Sequence, residues 1–268
     1  MRVRFRGVRG SVPWAVPAAI GHGCNTPCLE VEDERTGALL ILDAGSGIVG
    51  ISATERHARA GLSLLLTHYH WDHLLGLPFF GAFYQPGVSF QILTPSLASH
   101  DPDWLDTIFK SPFFPVPYQA LPNRPQVAMV QAGPLRVPGF DVRAHHLNHP
   151  GGALAYRIRG SAGDFVYATD HEFGNPAFDE PLAEFVKGAS AIVMDAHFTP
   201  DETPKFKGWG HSDWKQCLDF SMANGCERVW LFHHRPGRTD EQLVEIRTAA
   251  GRLFAQTETA SEGETFDF

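Results

Sequence analysis

The sequence contains few cysteines and no long apolar run, and each of these absences excludes a class of protein. Only four of the 268 residues are cysteine, which predicts a reduced, cytoplasmic protein rather than a secreted one built on disulfides. Cys24 and Cys28 lie far along the chain from Cys217 and Cys226, and neither pair has zinc-finger spacing. No stretch reaches the ~18 apolar residues of a membrane-spanning helix, so no membrane partner is expected.

The chain also lacks an excess of positive charge. Its net charge is −8, which argues against a long nucleic-acid partner held by phosphate neutralisation. A small phosphate ester is compatible with this charge, because bound cations would dominate the field at the site. Residues 1–6 alternate between arginine and apolar residues without the apolar stretch of a signal peptide. This alternation favours an edge strand over a basic binding arm.

Short apolar runs recur along the chain, and most of them end in Asp, His or Gly. They predict strands at Val3–Val8, Cys28–Val31, Leu39–Leu42, Leu62–Leu66, Phe90–Leu93, Val127–Val130, Phe140–Ala144, Leu154–Ile158, Phe165–Tyr167, Ala191–Met194 and Val229–Phe232. Helix signals begin at Ser212-Asp213, end at Asn224-Gly225, and begin again at Thr239 with a capping box. Strands with helices between the later ones predict an α/β fold of sheet layers covered by helices.

The richest motif is His68-Tyr69-His70-Trp71-Asp72-His73, which places four candidate metal ligands directly after the predicted strand Leu62–Leu66. In extended chain His68 and His70 project to the same side, while a turn can direct Asp72 and His73 to a second position. Imidazole and carboxylate are ligands of zinc, manganese and iron, so the motif predicts a centre for two metal ions.

Three later residues repeat this arrangement at the ends of apolar runs. His149 follows the run 140–144, Asp170 follows 165–169, and His233 follows 229–232, with His234 as an adjacent competitor. Together with Asp43, at the end of Leu39–Leu42, they spread the candidate site over most of the chain. We therefore predict a single domain over residues 1–268.

These motifs resemble the metallo-β-lactamase superfamily, whose signature is His-x-His-x-Asp-His followed by His, Asp and His. The resemblance implies a four-layer αββα sandwich with a dinuclear site at one edge of its two sheets. It assigns His68, His70 and His149 to one metal and Asp72, His73 and His233 to the other, with Asp170 bridging. Zinc is the expected metal, with manganese or iron possible, and two ions would hold a hydroxide between them. Asp43 would orient a ligand histidine, or only stabilise its own turn.

Two further strings resemble the phosphodiesterase branch of the superfamily, which includes ribonuclease Z. Asp170 stands where many β-lactamases carry cysteine, which argues against antibiotic hydrolysis. Asp195, after a buried strand, and His211, in Gly208-Trp209-Gly210-His211-Ser212, resemble that branch's carboxylate and histidine pair. The resemblance implies that Asp195 orients His211 and that His211 donates the proton to the leaving oxygen. Asp72, Asp195 and His211 are the predicted catalytic residues.

The predicted function is hydrolysis of a small or cyclic phosphodiester. Transfer-RNA processing is not favoured, because only 21 positions separate His149 from Asp170, where some relatives carry an RNA-gripping arm. A thioester hydrolase of the glyoxalase II type shares the ligand set and stays an alternative, as does a non-hydrolytic metal sensor or redox module. The retained His70 argues against the redox module. A homodimer is possible, since related enzymes are often dimers.

Residues 74–118 are rich in aromatic residues and interrupted by prolines, which is typical of neither a regular helix nor a strand. Three interpretations are open for this segment: an aromatic lid over the metal centre, a dimer contact, or irregular core packing. A lid could stack on a base or ring of the substrate.

Overall fold

The computed structural model describes residues 1–97 and 103–268. Within them the strands form two seven-stranded mixed sheets, with orders β14-β1-β2-β3-β4-β5-β6 and β13-β12-β11-β10-β9-β8-β7. The strands are β1 Arg2–Gly7, β2 Cys28–Asp33, β3 Ala38–Leu42, β4 Leu62–Leu65, β5 Gln91–Pro95, β6 Gln126–Val130, β7 Gly133–Val137, β8 Phe140–Leu147, β9 Ala153–Arg159, β10 Asp164–Ala168, β11 Ala191–Asp195, β12 Val229–Phe232, β13 Thr257–Thr259 and β14 Thr265–Asp267. The helices are α1 Glu55–Ala60, α2 Trp104–Ile108, α3 Pro176–Val186, α4 Trp214–Ala223 and α5 Asp240–Leu253.

Three clusters of buried apolar residues hold the sheets and the helices together. The central cluster joins the inner faces of both sheets, for example Leu40 and Leu65 with Tyr156 and Phe232. A second cluster covers the outer face of the first sheet, and a third packs the later helices on the outer face of the second. Strands such as β3 are buried along their whole length because both of their faces are covered. The predicted α/β sandwich with helices outside its sheets is confirmed.

Every predicted strand is present, and the two predicted helix starts are confirmed by their caps. The Asp213 side chain accepts from the Gln216 backbone N–H, and the Thr239 side chain accepts from that of Gln242, each within a capping box. Sequence reasoning missed β7, β13 and β14 and the helices α1, α2 and α3. The three strands are too short to show an extended alternating pattern. Helix α3 carries a proline in its interior, which interrupts its helical pattern.

The prediction that residues 1–6 form an edge strand is wrong. Strand β1 lies between β2 and β14, and the carboxyl-terminal strand pairs Thr265–Asp267 with Arg2–Arg4. Val3 and Phe5 are fully buried, as the alternation predicted. The edge was misassigned because the covering strand comes from the far end of the chain, beyond any local pattern.

The aromatic segment 74–118 packs mostly as core, although residues 98–102 of it lie outside the described part. Phe80, Phe83 and Phe109 are buried against the outer face of the first sheet and contact one another edge to face. Phe79 and Phe113 remain exposed. The buried rings agree with the packing interpretation, and the lid and the dimer contact stay predictions, as does the single domain.

One edge of the sandwich collects the ends of the strands that carry the candidate ligands. Strands β3 and β4 are parallel neighbours in the first sheet, as are β10, β11 and β12 in the second. Because parallel strands end at the same sheet edge, the polar residues that follow them meet there. Among the described residues, no helix combines the length and the apolar composition needed to cross a membrane.

Candidate metal centre

Three of the residues that follow strands at this edge have left-handed backbone conformations. Asp43, Asp170 and His233 have φ values of 63°, 59° and 59°. Such conformations disfavour residues with a Cβ by about 1–2 kcal/mol each and persist where the surroundings enforce them. Each turns the chain sharply at the end of a strand, which directs its side chain into the space between the two sheets.

The first predicted ligand group comes together as expected. His68, His70 and His149 present nitrogen atoms close enough to share one ion. The Nδ1 of His70 lies 3.0 Å from the Nε2 of His149, and the His149 Nδ1–H donates to the Gly210 carbonyl at 2.9 Å. The Gly210 carbonyl therefore leaves the Nε2 lone pair of His149 directed at the group.

The second predicted group, Asp72, His73 and His233, also comes together. The Oδ2 of Asp72 lies 3.1 Å from the Nε2 of His233 and 3.5 Å from that of His73. Asp170 stands between the two groups, with carboxylate oxygens 3.3 Å from His73 and 3.8 Å from His149. This is the position predicted for a bridging ligand.

The donor set fits divalent cations. The Nε2 atoms of His68 and His73 are buried and have no hydrogen-bond partner among the described residues. A buried polar atom without a partner is destabilising, and a metal ion would satisfy both. Burial opposes it, but Asp72, Asp170 and Asp43 raise the pKa of His73 well above its usual range. The same carboxylates would attract a metal cation to this place.

His234, the adjacent competitor, does not face the centre. Its Nε2 lies 2.9 Å from the Ala260 carbonyl, and burial lowers the pKa of this histidine to about 3. His233 instead projects into the ligand cluster. The preference for His233 therefore agrees with the geometry, although the ligand assignment itself stays a prediction.

Asp43 takes the predicted orienting position. Its fully buried carboxylate accepts the Nδ1–H of His73 at 2.9 Å, the Tyr167 hydroxyl at 2.9 Å and the Thr67 backbone N–H at 2.7 Å. With the Nδ1–H held by Asp43, the Nε2 of His73 faces the centre and would bind a metal ion once its proton is displaced. The carboxylate thus fixes both the tautomer and the orientation of the ring.

Replacing this carboxylate should weaken metal binding without removing a ligand. We expect Asp43→Ala to lower metal affinity by about 10–100-fold, since His73 loses the partner that fixes its tautomer. Competition with a chromophoric chelator measures this affinity. The matched control is Asp33→Ala, because Asp33 also ends a strand of the first sheet but, among the described residues, its side chain bonds to its own turn and not to a histidine. Unchanged affinity in Asp43→Ala would contradict the orienting role.

His211 and Asp195 form the second predicted pair. The Nδ1–H of His211 donates to the Asp195 carboxylate at 2.7 Å, so the two side chains are in direct contact. Although burial opposes it, Asp195 and then Asp170 raise the pKa of His211 to about 9. Without bound cations this pKa favours the protonated form at neutral pH, and the Nε2 of His211 makes no hydrogen bond with the described residues. A positioned imidazolium of this kind can donate a proton.

Sequence reasoning assigned no role to His197, which follows Asp195 by two positions. Its ring stacks on that of His211 at 4.5 Å, and its Nδ1–H donates to the His233 carbonyl at 2.9 Å. Burial first, and the neighbouring His211 and His233, lower its pKa well below the usual range. With Asp195, His211 and His233 it forms a further group that could hold an ion. The roles of His211 as acid and as ligand are therefore distinct, testable alternatives.

Two positioning contacts were missed by sequence reasoning. The Ser11 backbone N–H donates to the Oδ2 of Asp72 at 2.7 Å. Glu172 accepts the backbone N–H groups of Gly208 and Gly210 at 2.8 Å and 2.7 Å, which holds the loop that leads to His211. The available signals were Gly10-Ser11 after the first strand and an acid two residues after Asp170. Neither residue type is distinctive enough to reveal a partner distant in sequence.

Two stacked mixed sheets with a histidine and carboxylate cluster at one edge define a metal-binding αββα protein. The chain belongs to the family described as the beta-lactamase superfamily domain, which matches residues 40–234. The predicted resemblance to the metallo-β-lactamase superfamily is therefore confirmed.

Individual relatives agree with this family. Ribonuclease Z of Lacticaseibacillus casei (strain BL23) is 24% identical over an alignment of 315 positions that covers 98% of this chain and 94% of that protein. The solved metallo-beta-lactamase fold protein YhfI from Bacillus subtilis has a TM-score of 0.73 at 18% identity, with 99% of this chain and 98% of that one covered. A diphosphatase from the PhnP family has a TM-score of 0.68 at 17% identity, with 100% and 97% covered. The named activities among these relatives support the predicted class of enzyme, a metal-dependent hydrolase.

Proposed function

We propose that the protein is a dinuclear metal-dependent phosphodiesterase that acts on a small or cyclic phosphodiester in the cytoplasm. The observation that carries the proposal is the His211–Asp195 pair, whose imidazole lies 3.7 Å from Asp170 at the ligand cluster. Hydrolysis of a phosphodiester needs both charge neutralisation at the phosphoryl oxygens and a proton for the leaving alkoxide. The cluster and the pair supply residues suited to these two tasks.

The residues divide the work as follows in this proposal. Two divalent ions, with zinc expected, would supply an activated water and neutralise charge on the phosphoryl oxygens. His68, His70 and His149 would hold one ion, Asp72, His73 and His233 would hold the other, and Asp170, which lies between the two groups, would serve both. Asp195 fixes His211 with its Nε2–H free, and His211 passes that proton to the leaving oxygen. Asp72, fixed by the Ser11 N–H, keeps its place as ligand and predicted catalytic residue.

The substrate class is the finer part of the proposal. The relative named ribonuclease Z favours RNA, whereas the net charge of −8 disfavours a long polyanion. Hydrolysis of a phosphodiester is common to an RNA substrate and to a small substrate. We propose the small substrate because the described loop between His149 and Asp170 contains only the connected strands β9 and β10, with no protruding arm. A homodimer is also part of this proposal.

The test combines metal analysis with three substrates. Elemental analysis should find about two ions per chain, and zinc or manganese should support hydrolysis of bis(p-nitrophenyl) phosphate. A glutathione thioester and a precursor transfer RNA serve as comparison substrates under the same conditions. Two ions with turnover of the thioester alone would favour the glyoxalase II type instead. A protein that binds no ion after supplementation with either metal would overturn the whole proposal.

A further inference from the structure

A cavity of about 320 Å³ opens beside His211. It lies between the loop that follows Asp170 and the segment that leads to His211. The residues that line it and matter here are His211, Phe173, Phe206, Lys207 and Glu172. The volume is at the lower end of the range of small-molecule sites. It has room for one compact group.

The chemistry of His211 determines where the leaving group of a substrate must lie. A general acid must come within hydrogen-bond reach of the atom that it protonates. If His211 protonates the leaving oxygen, the departing group must lie beside His211. His211 lines this cavity, so a leaving group beside His211 can project into it.

The walls of the cavity combine polar residues with Phe173 and Phe206, and these two rings are held in place by neighbouring rings. Phe206 stacks on Phe198 with ring centroids 4.9 Å apart, and Phe173 packs on Phe220 at 4.8 Å. The Arg235 guanidinium also lies over the Phe206 ring at 4.9 Å, so the edge of Phe206 is left for contact with a ligand. Rings fixed in this way form a rigid wall that a flat apolar group can contact. The apolar part of a ligand would therefore contact Phe173 and Phe206.

Lys207 supplies an unneutralised positive charge at the exposed rim. It forms no ion pair with the residues that the structure describes. Glu172 lines the same cavity and keeps its negative charge, but its carboxylate is held by the backbone N–H groups of Gly208 and Gly210 and not by Lys207. An exposed lysine alone is usually solvated surface. Here Lys207 lines the mouth of a cavity that adjoins the proposed proton donor. Its charge therefore lies next to any ligand that this cavity would hold.

We propose that this cavity is the leaving-group site and that it selects phosphodiesters whose departing alcohol has a flat apolar body and an anionic end. The body packs between Phe173 and Phe206, and the anionic end lies next to Lys207. The inference rests on the proposed phosphodiesterase function and deepens it by naming the substrate class.

The test compares two phosphodiesters that differ only at the leaving group, methyl 4-carboxyphenyl phosphate and methyl 4-nitrophenyl phosphate. In Lys207→Ala we expect the ratio of kcat/KM for the carboxyphenyl over the nitrophenyl ester to fall about three- to fivefold, as for a partly exposed charge pair. The fall should appear in KM and shrink at high salt, because screening weakens the pair. Lys205→Ala is the matched control, since this exposed lysine does not line the cavity. An unchanged ratio in Lys207→Ala, or the same fall in Lys205→Ala, would overturn the inference.

A binding measurement separates failure of this inference from failure of the proposed function. The leaving alcohol 4-hydroxybenzoate is titrated into the full-length protein and its dissociation constant is followed by NMR. The expected result is binding that Lys207→Ala weakens about three- to fivefold and Lys205→Ala does not. If neither ester is hydrolysed but this pattern holds, the phosphodiesterase proposal fails and the site stands. If 4-hydroxybenzoate does not bind, or binds both variants equally, the site fails.

Discussion

His211→Ala should lower phosphodiester turnover by about 10²–10⁴-fold while the metal content stays at that of the unmodified protein. The reason is that the substitution removes the protonated imidazole held by Asp195 and leaves the two predicted ligand groups complete. The unmodified enzyme should also lose activity at high pH, as His211 gives up its proton. This loss should occur at or below pH 9, because the pKa of His211 is about 9 and bound cations would lower it. Elemental analysis and a pH–rate profile measure the two effects.

A matched histidine and a chemical rescue make this result specific. His146→Ala removes an exposed histidine of β8 and should leave both turnover and metal content unchanged. Added imidazole should restore part of the activity of His211→Ala if the missing group is a proton donor. Loss of bound metal in His211→Ala would assign this residue to the ligand shell, together with Asp195, His197 and His233. The same turnover as the unmodified protein would favour the thioester hydrolase.

Asp170→Ala should have the second large effect, a loss of metal from both groups. This carboxylate lies within 4 Å of a nitrogen of His68, His73, His149 and His233. Its removal takes away the negative charge shared by both ions, so stoichiometry should fall from about two ions to less than one after dialysis. Removing a residue that only orients a metal ligand lowers activity by about 10–100-fold. Asp170→Ala removes a ligand itself, so we expect turnover to fall by more than that.

The control for Asp170 is another aspartate whose loss should change nothing. Asp219→Ala removes an exposed carboxylate paired with Lys215 on α4, and it should retain two ions and full turnover. Asp170→Asn keeps the shape and removes the charge, so it should lie between Asp170→Ala and the unmodified protein. Two tightly bound ions in Asp170→Ala would refute the bridging role.

Several parts of the molecule could be predicted because their signals are local. The string from His68 to His73 is consecutive, so covalent geometry alone brings its side chains near one another. The caps at Asp213 and Thr239 bond to residues three positions away, and the buried strands show as continuous apolar runs. The pairing of Asp195 with His211 was predicted from motif resemblance, since 16 residues separate them.

Other parts required contacts between segments distant in sequence. The choice between His233 and His234 depends on the left-handed backbone of His233 at the end of β12. The sequence does not reveal it, because the two residues are adjacent and of the same type. Glu172 holds the loop 208–210 across 36 to 38 positions, and β14 covers β1 across almost the whole chain. Such pairings follow from how complete sheets and loops pack together.

The sequence by itself predicted the kind of site, namely strand-end histidines and carboxylates suited to cations, and sheet layers covered by helices; the αββα sandwich came from the family resemblance. Residue type and spacing suffice for this because strand alternation and ligand chemistry are short-range properties. Only the tertiary structure decided which tautomer His73 adopts, where Lys207 stands, and that a cavity adjoins His211. These features depend on the packing of segments against one another, and burial then sets the hydrogen bonds and the pKa values that make the residues functional.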